Sequence, residues 1–339
     1  MMDKAAADIR FPVLIGDIGG TNARFALVSE PNAEWERFPD VHTNDYPTVE
    51  AGIEAAVLAR TALRPKTAIL ALAGPIAGNQ IKLTNCDWIF EPSRLISRFG
   101  LSSVILLNDF EALSLGLPDL GPGDIDPIGT GRSAPERPRV VVGPGTGLGA
   151  GALIHARGTW IPVPGEGGHV DLGPVSERDF ALWPHFEMSF GRISAETLLC
   201  GPGLMRVYRG IASLEERPAP IRTPAEVTAA GLAGDDPVAV AALDFFVTHL
   251  GRLAGNLALV FVATGGVYLA GGISAKIAPA LKSGAFREAF VAKDPHRHLL
   301  EGVMTAIIAR PDPALAGIAA FAADPRRFGV ALEGRMWQA

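Results

Sequence analysis

The sequence predicts an α/β protein built from two related halves, and three observations carry that reading. Buried apolar strands alternate with helical segments through the first third of the chain. A strand, a glycine-rich turn and a returning strand occur near the N-terminus and recur after residue 138. Between them, 118–138 is rich in Pro and Gly with little apolar periodicity, which reads as a surface connection and a domain junction.

Each element follows from local pattern. The opening strand is expected at 11–15 and its partner at 23–28, a hairpin around Gly19-Gly20. A helix is expected at 47–61, a strand at 67–72, a helix at 92–99 and a buried strand at 103–107. The second start places strands at 139–142, 150–155 and 159–163. The later region is mainly helical. Thr223-Pro224-Ala225-Glu226 sets a capping Thr, a Pro at the first helical position and a Glu at the third. Ala, Leu and Phe at helical spacing mark a long helix over 237–263, and 313–322 reads as a last apolar helix.

Of 339 residues, 48% are hydrophobic and 19% charged, so the chain can bury a large core and lies outside the disordered class. A net charge of -6, with no long run of Lys or Arg, argues against nucleic acid and against a polybasic membrane anchor, and favours a small-molecule partner. Cys86 and Cys200 allow at most one disulfide and no Cys-rich metal site, so a reducing compartment, the cytoplasm, is expected. The first ten residues carry Asp3 and Asp8 and no apolar stretch, so they do not read as a secretory signal. The uncharged run 253–275 passes a crude length test for a membrane span. Its Gly265-Gly266 and Gly271-Gly272 interruptions favour a helix followed by a short buried strand, and no membrane is expected.

Four constellations carry chemistry. Gly16-Asp17-Ile18-Gly19-Gly20-Thr21-Asn22 follows a buried strand. Its glycines let backbone N–H groups approach a phosphate, Thr21 adds a donor, and Asp17 can hold magnesium through water, although an ordinary Gly-Gly hairpin would look similar. Gly143-Pro144-Gly145-Thr146-Gly147-Leu148-Gly149 repeats the arrangement. Gly145-x-Gly147-x-x-Ala150 also meets a loose dinucleotide fingerprint with Glu166 downstream, but that site needs a helix at the glycines and the pattern here is two strands. Asn108-Asp109 ends an apolar strand where a helix begins, a place for an N-cap or for a general base. Glu166 and His169 in a Gly-rich loop suit vicinal sugar hydroxyls better than zinc, for which a lone His is a poor set. Ser194-Ala195-Glu196 reads by itself as a helix cap with a solvated first-turn Glu.

Together these segments resemble the bacterial glucokinase family, within the hexokinase, actin and heat-shock ATPase superfamily. The resemblance rests on the motifs above with Ala23-Arg24, Ala73-Gly74-Pro75-Ile76, Leu83-Thr84-Asn85-Cys86-Asp87-Trp88, Phe110, Gly201-Pro202-Gly203-Leu204 and Leu269-Ala270-Gly271-Gly272-Ile273. No Cys-rich zinc loop is present, so the chain is similar to the zinc-free branch.

The resemblance implies a two-domain actin-like ATPase, ribonuclease H-like fold with nucleotide and sugar in the interdomain cleft. A small α/β domain would comprise 1–112 with about 311–339, and a large one 113–310. It implies ATP-dependent phosphorylation of D-glucose at the 6-hydroxyl, the first step of glycolysis, in a cytoplasmic homodimer. Asp109 would be the base. Asn108, Glu166, His169 and Glu196 would bind glucose. Gly16, Asp17, Ile18, Gly19, Gly20, Thr21, Gly145, Thr146 and Gly147 would cradle ATP, with Asp17 near Mg²⁺ and Gly271 and Gly272 by the adenosine. The rivals are a kinase for another hexose and a non-enzymatic sugar-sensing regulator. The latter would need a DNA-binding helix-turn-helix, for which a first strand at residue 11 leaves no room.

Overall fold

The computed structural model describes residues 8–74, 76–83 and 86–339, so Pro75, Thr84 and Asn85 of the motifs lie outside the described residues. The chain groups into two compact units. One comprises Met1–Leu120, Leu153–Pro164 and Pro311–Ala339, the other Gly121–Ala152 and Gly165–Arg310.

In the first unit, β1 (Val13–Ile18), β2 (Asn22–Val28), β3 (Glu36–Arg37) and β4 (Val41–His42) precede α1 (Val49–Ile53). Then come β5 (Thr67–Leu72), β6 (Ile81–Lys82), β7 (Ile89–Phe90), α2 (Pro92–Phe99), β8 (Ser103–Asn108) and α3 (Asp109–Leu115). β1 pairs antiparallel with β2 and parallel with β5, which pairs parallel with β8. Strands buried on both faces read as continuous apolar runs, and all six residues of β5 are buried. The register sets Ile18 beside Leu72 and Leu72 beside Asn108, so the C-terminal ends of three parallel strands lie in one row. In open α/β sheets that is the edge where ligands bind.

The predicted helix 47–61 is shorter than expected. Thr48 caps α1, and from Glu54–Leu58 the chain takes a π turn that keeps Ala56 and Val57 in the core.

The second unit contains β9 (Ile125–Pro127), β10 (Arg139–Pro144) and β11 (Leu148–Ala156), followed by β12 (Thr159–Gly165). The outer part of the β11–β12 hairpin, Leu153–Pro164, is counted with the first unit. Helices α4 (Glu177–Leu182), α5 (Ala195–Leu198), α6 (Gly201–Leu214), α7 (Pro224–Ala233) and α8 (Pro237–Phe261) follow. The chain then returns through β13 (Val267–Leu269), α9 (Gly271–Lys276), α10 (Ala278–Leu281), α11 (Ala285–Val291), α12 (Arg297–Glu301) and β14 (Thr305–Ile308).

The sheet orders match. The first runs β3-β2-β1-β5-β8 and the second β12-β11-β10-β13-β14, with β10, β13 and β14 parallel. The two halves read from the glycine turns are thus one fold repeated. Because β11 starts at Leu148, a strand and not a helix follows the second glycine turn, which removes the dinucleotide reading.

α8 is the one described helix long and apolar enough to cross a membrane. It is mostly buried, packed on α6, α7 and α11, and the uncharged run 253–275 is broken by the end of α8, β13 and the start of α9. The Thr223 box forms as read, its hydroxyl accepting from the Glu226 N–H at 3.3 Å. Cys86 and Cys200 are both buried free thiols. After the second unit the chain returns to the first, where α13 (Pro313–Ala323) packs along α3 and β15 (Met336–Gln338) pairs antiparallel with β8.

Candidate functional site

In the first unit the candidate residues stand on the shared strand edge. Asp17 faces Arg24 across the β1–β2 pair, and Arg24 Nη1 donates to Asp17 Oδ2 at 3.1 Å. Arg24 Nε lies 3.6 Å from Asp40 Oδ2 and 3.7 Å from Asp312 Oδ1. Arg37 closes the network with Nε donating to Asp312 Oδ2 at 2.8 Å and Nη2 to Asp40 Oδ1 at 2.6 Å. Burial pushes the Asp17 carboxyl above its ordinary pKa, against the pull of Arg24. The Thr43 hydroxyl holds the turn, donating to the Gly20 carbonyl at 2.9 Å.

At the end of β8, Asn108 is the N-cap of α3. Its Oδ1 accepts from the N–H groups of Phe110 at 3.0 Å and Glu111 at 3.1 Å, and its Nδ2 donates to the Gly74 carbonyl at 3.3 Å. Asp109 is therefore not the cap but the first residue of the helix, its Oδ1 accepting from the Phe110 N–H at 2.9 Å. Rigid strand below and capped helix above hold this carboxylate, as a general base requires.

In the second unit the glycine turn between β10 and β11 is tied to the helices. The Gly145 N–H donates to the Gly147 carbonyl at 2.8 Å, and the Gly201 N–H at the start of α6 donates to the Gly145 carbonyl at 2.9 Å. Glu196 is not a solvated first-turn residue. Ser194 caps α5, while Glu196 Oε2 accepts from the Leu148 N–H at 2.8 Å. Gly147 makes this possible, because a Cβ there would lie 2.6 Å from Glu196 Oε2. His169 Nε2 lies 3.9 Å from Glu196 Oε1 and 3.8 Å from Glu166 Oε2, so the three sugar-type residues converge.

Two of them, His169 and Glu196, line a pocket of about 350 Å³ together with Thr146, Arg192 and Arg206. Two carboxylates beside an imidazole offer directional acceptors and a switchable donor to a polyhydroxyl ligand. Gly271 begins α9 with a φ of 83° and sits against the end of β10, where a Cβ would be 2.6 Å from the Pro144 carbonyl. No group of three His, Cys, Asp or Glu side chains among the described residues is placed to hold a metal ion.

A glucokinase family model matches residues 14–325. The glucokinase of Mesorhizobium japonicum is 52% identical over 331 residues, covering 98% of this chain and 97% of that protein. The chain belongs to the glucokinase family. Among solved structures, a glucokinase from an Antarctic psychrotroph superposes with a TM-score of 0.81 at 30% identity, covering 92% of this chain and 98% of that one. A ROK family glucokinase from Streptomyces griseus, solved with glucose and AMPPNP, shares the fold at a TM-score of 0.60 and 22% identity, over 91% of this chain and 97% of that one. The fold is the two-domain actin-like ATPase fold, and the chain is a hexose kinase that phosphorylates glucose with ATP.

Within this glucokinase fold, the structure brings together Gly145, Thr146, Gly147, Glu166, His169 and Glu196 in the second unit, with Gly271 and Gly272 at the end of β10. Residues Gly16, Asp17, Ile18, Gly19, Gly20 and Thr21 share a strand edge with Asn108 and Asp109 in the first. Sequence reasoning missed the partners. Arg24 stood in the motif without a role, and Asp312 is distant in sequence. Arg192 holds the loop that carries Glu166 and His169, with Nη1 donating to the His169 carbonyl at 2.7 Å and to Asp171 Oδ1 at 2.6 Å. No local pattern announces such a pair, although an Arg two residues before a capping Ser was the available signal.

Proposed function

We propose that this chain transfers the γ-phosphoryl group of MgATP to the 6-hydroxyl of D-glucose, with Asp109 as general base. The Asp109 carboxylate takes the hydroxyl proton as the oxygen attacks phosphorus. The bond from phosphorus to the bridging oxygen breaks, and ADP and glucose 6-phosphate result. Asn108 orients the sugar, although its carbonyl oxygen is committed to the helix cap and only its amide remains for a ligand. Glu166, His169 and Glu196 receive ring hydroxyls and discriminate against epimers that leave one of them unpaired.

The backbone at 16–21 and 145–147 cradles the phosphates, with Gly271 and Gly272 beside the adenosine. Asp17, half-buried and strand-mounted, would hold magnesium through water. When bound, that ion neutralises charge on the transferring phosphates. The small α/β domain, 1–112 with about 311–339, would supply the base and the large one, 113–310, the sugar contacts. Two buried free thiols suit a cytoplasmic setting, a low charged fraction suits a homodimer, and the reaction suits the first step of glycolysis.

One observation supports the sugar reading above the rest. Glu196 joins the convergence of Glu166 and His169 through one carboxylate oxygen and the second glycine turn through the other. A coupled assay with MgATP across a panel of hexoses tests it. Turnover greatest on glucose, reduced by about 10² to 10⁴ in Asp109→Asn, is the expected result. Preference for another hexose reassigns the substrate, and no phosphorylation by folded protein leaves a sugar-sensing regulator.

A further inference from the structure

The family match ends at residue 325, yet a side chain beyond it reaches the mounting of the candidate base. β15 runs antiparallel beside β8, with Met336 opposite Ile105, and the Leu106 N–H donates to the Arg335 carbonyl at 3.0 Å. The Arg335 guanidinium then turns to α3. Its Nη1 donates to Glu111 Oε2 at 2.5 Å and its Nη2 to Glu111 Oε1 at 3.2 Å, while Nε donates to the Ala331 carbonyl at 2.7 Å.

Glu111 is 1% exposed and is the return arm of the Asn108 capping box, its Oε2 accepting from the Asn108 N–H at 3.3 Å. One residue thus grips β8 by its backbone and α3 by its side chain, and Asn108 and Asp109 are where those two elements meet.

We propose that Arg335 is a positioning residue for the phosphoryl transfer, holding Asp109 in register through Glu111 and the capping box; this rests on Asp109 being the base. A carboxylate as buried as Glu111 is costly unless paired, and a two-oxygen guanidinium fork is the partner that fixes its orientation as well as its charge. Without Arg335 the carboxylate moves toward water or is left buried without its partner. Either change loosens the box behind Asp109, and a displacement near 1 Å at a reacting group costs up to about 10²-fold in rate.

The test is a kinetic series on the full chain: Arg335→Met, Arg335→Met with Glu111→Gln, Arg335→Lys and, in parallel, Asp109→Asn. Arg335→Met is expected to lower kcat by about 10-fold to 10²-fold with the KM for ATP unchanged. The double variant removes the stranded charge but keeps an acceptor for the Asn108 N–H, and should recover kcat to within about threefold of wild type. A double variant as impaired as the single would mark Arg335 as a tail anchor only and overturn the proposal. So would wild-type kcat in Arg335→Met while Asp109→Asn loses turnover, which leaves the base reading standing. Full turnover in Asp109→Asn removes the base reading and this inference together. If Arg335→Met does not fold, Arg335→Lys decides. A loss of about threefold or more supports the fork, since Lys cannot span both oxygens, and wild-type kcat overturns it.

Discussion

The two glycine turns stand at the same place in two copies of one sheet and are wired differently. The first, after β1, lies among alternating charges in which Asp17, Arg24, Asp312, Arg37 and Asp40 meet within 4 Å. The second, after β10, lies against the carboxylate of Glu196 and the start of α6. A repeated strand, turn and strand supplies backbone N–H groups in both. What differs is what stiffens the turn, a network of ion pairs in one half and a single carboxylate in the other. The comparison teaches a division of labour. Changes near the first turn should strike the chemical step, and changes near the second should strike glucose affinity.

Of the changes at the two turns, Asp17→Asn carries the largest expected effect. Turnover should fall by about 10² to 10³, the usual size for losing one electrostatic contact to a developing charge, with little change in the KM for glucose. Stability should move the other way. The folded-state pKa of Asp17 is raised, so the folded protein favours its protonated form, and ionisation above that pKa costs stability at neutral pH. A higher melting temperature at pH 7 alongside lower turnover is therefore expected, and a lower one would contradict the burial argument.

Gly147→Ala comes next. Its new Cβ would lie 2.6 Å from Glu196 Oε2, so the carboxylate must move away from the Leu148 N–H. The KM for glucose should rise by about 10-fold to 10²-fold, the range for a charge-assisted hydrogen bond, with kcat changed far less. An effect on kcat alone would erase the contrast between the turns.

The smallest effect is the sharpest on wiring. The second unit also holds a charge cluster, but a buried one. Asp179, on α4, faces His249 Nε2 and Arg252 Nη1 of α8, each 3.5 Å from its Oδ2, and Arg252 Nη2 donates to the Gly173 carbonyl at 3.0 Å. Burial alone would raise the Asp179 pKa. The His249 contact and the N–H groups of Val175 and Ser176 outweigh it and hold the carboxyl below its ordinary 3.8. A depressed folded-state value adds stability above the unfolded pKa that is lost as pH falls toward the folded one. Asp179→Asn should thus flatten the loss of melting temperature below pH 3.8 while leaving kcat at neutral pH within about twofold. An unchanged acid limb would remove Asp179 from that role.

Local pattern made much of the fold legible. The apolar runs of β5 and β8, the hairpin at Gly19-Gly20 and the Thr223 box depend on neighbours within a few residues, and they appear as read. The repeated strand, turn and strand motif announced the matching sheet orders. The shortening of α1 did not show, because a π turn answers to core packing and not to the 3.6-residue period.

At the site, residue types were legible and partners were not. Asn and Asp are both good caps, so composition could not decide that Asn108 takes the cap and Asp109 the first turn. Glu196 looked solvated because its donor partner, the Leu148 N–H, lies 48 residues away. Arg335 and Glu111 are 224 apart, and no periodicity spans that distance.

The division of labour is tested most directly by titrating glucose calorimetrically into Asp109→Asn and Glu196→Gln. The account predicts that Asp109→Asn binds glucose within about threefold of wild type, and that Glu196→Gln binds it about 10-fold or more weakly. Wild-type affinity in Glu196→Gln with affinity lost in Asp109→Asn would contradict it, placing sugar recognition on the first turn's half of the molecule.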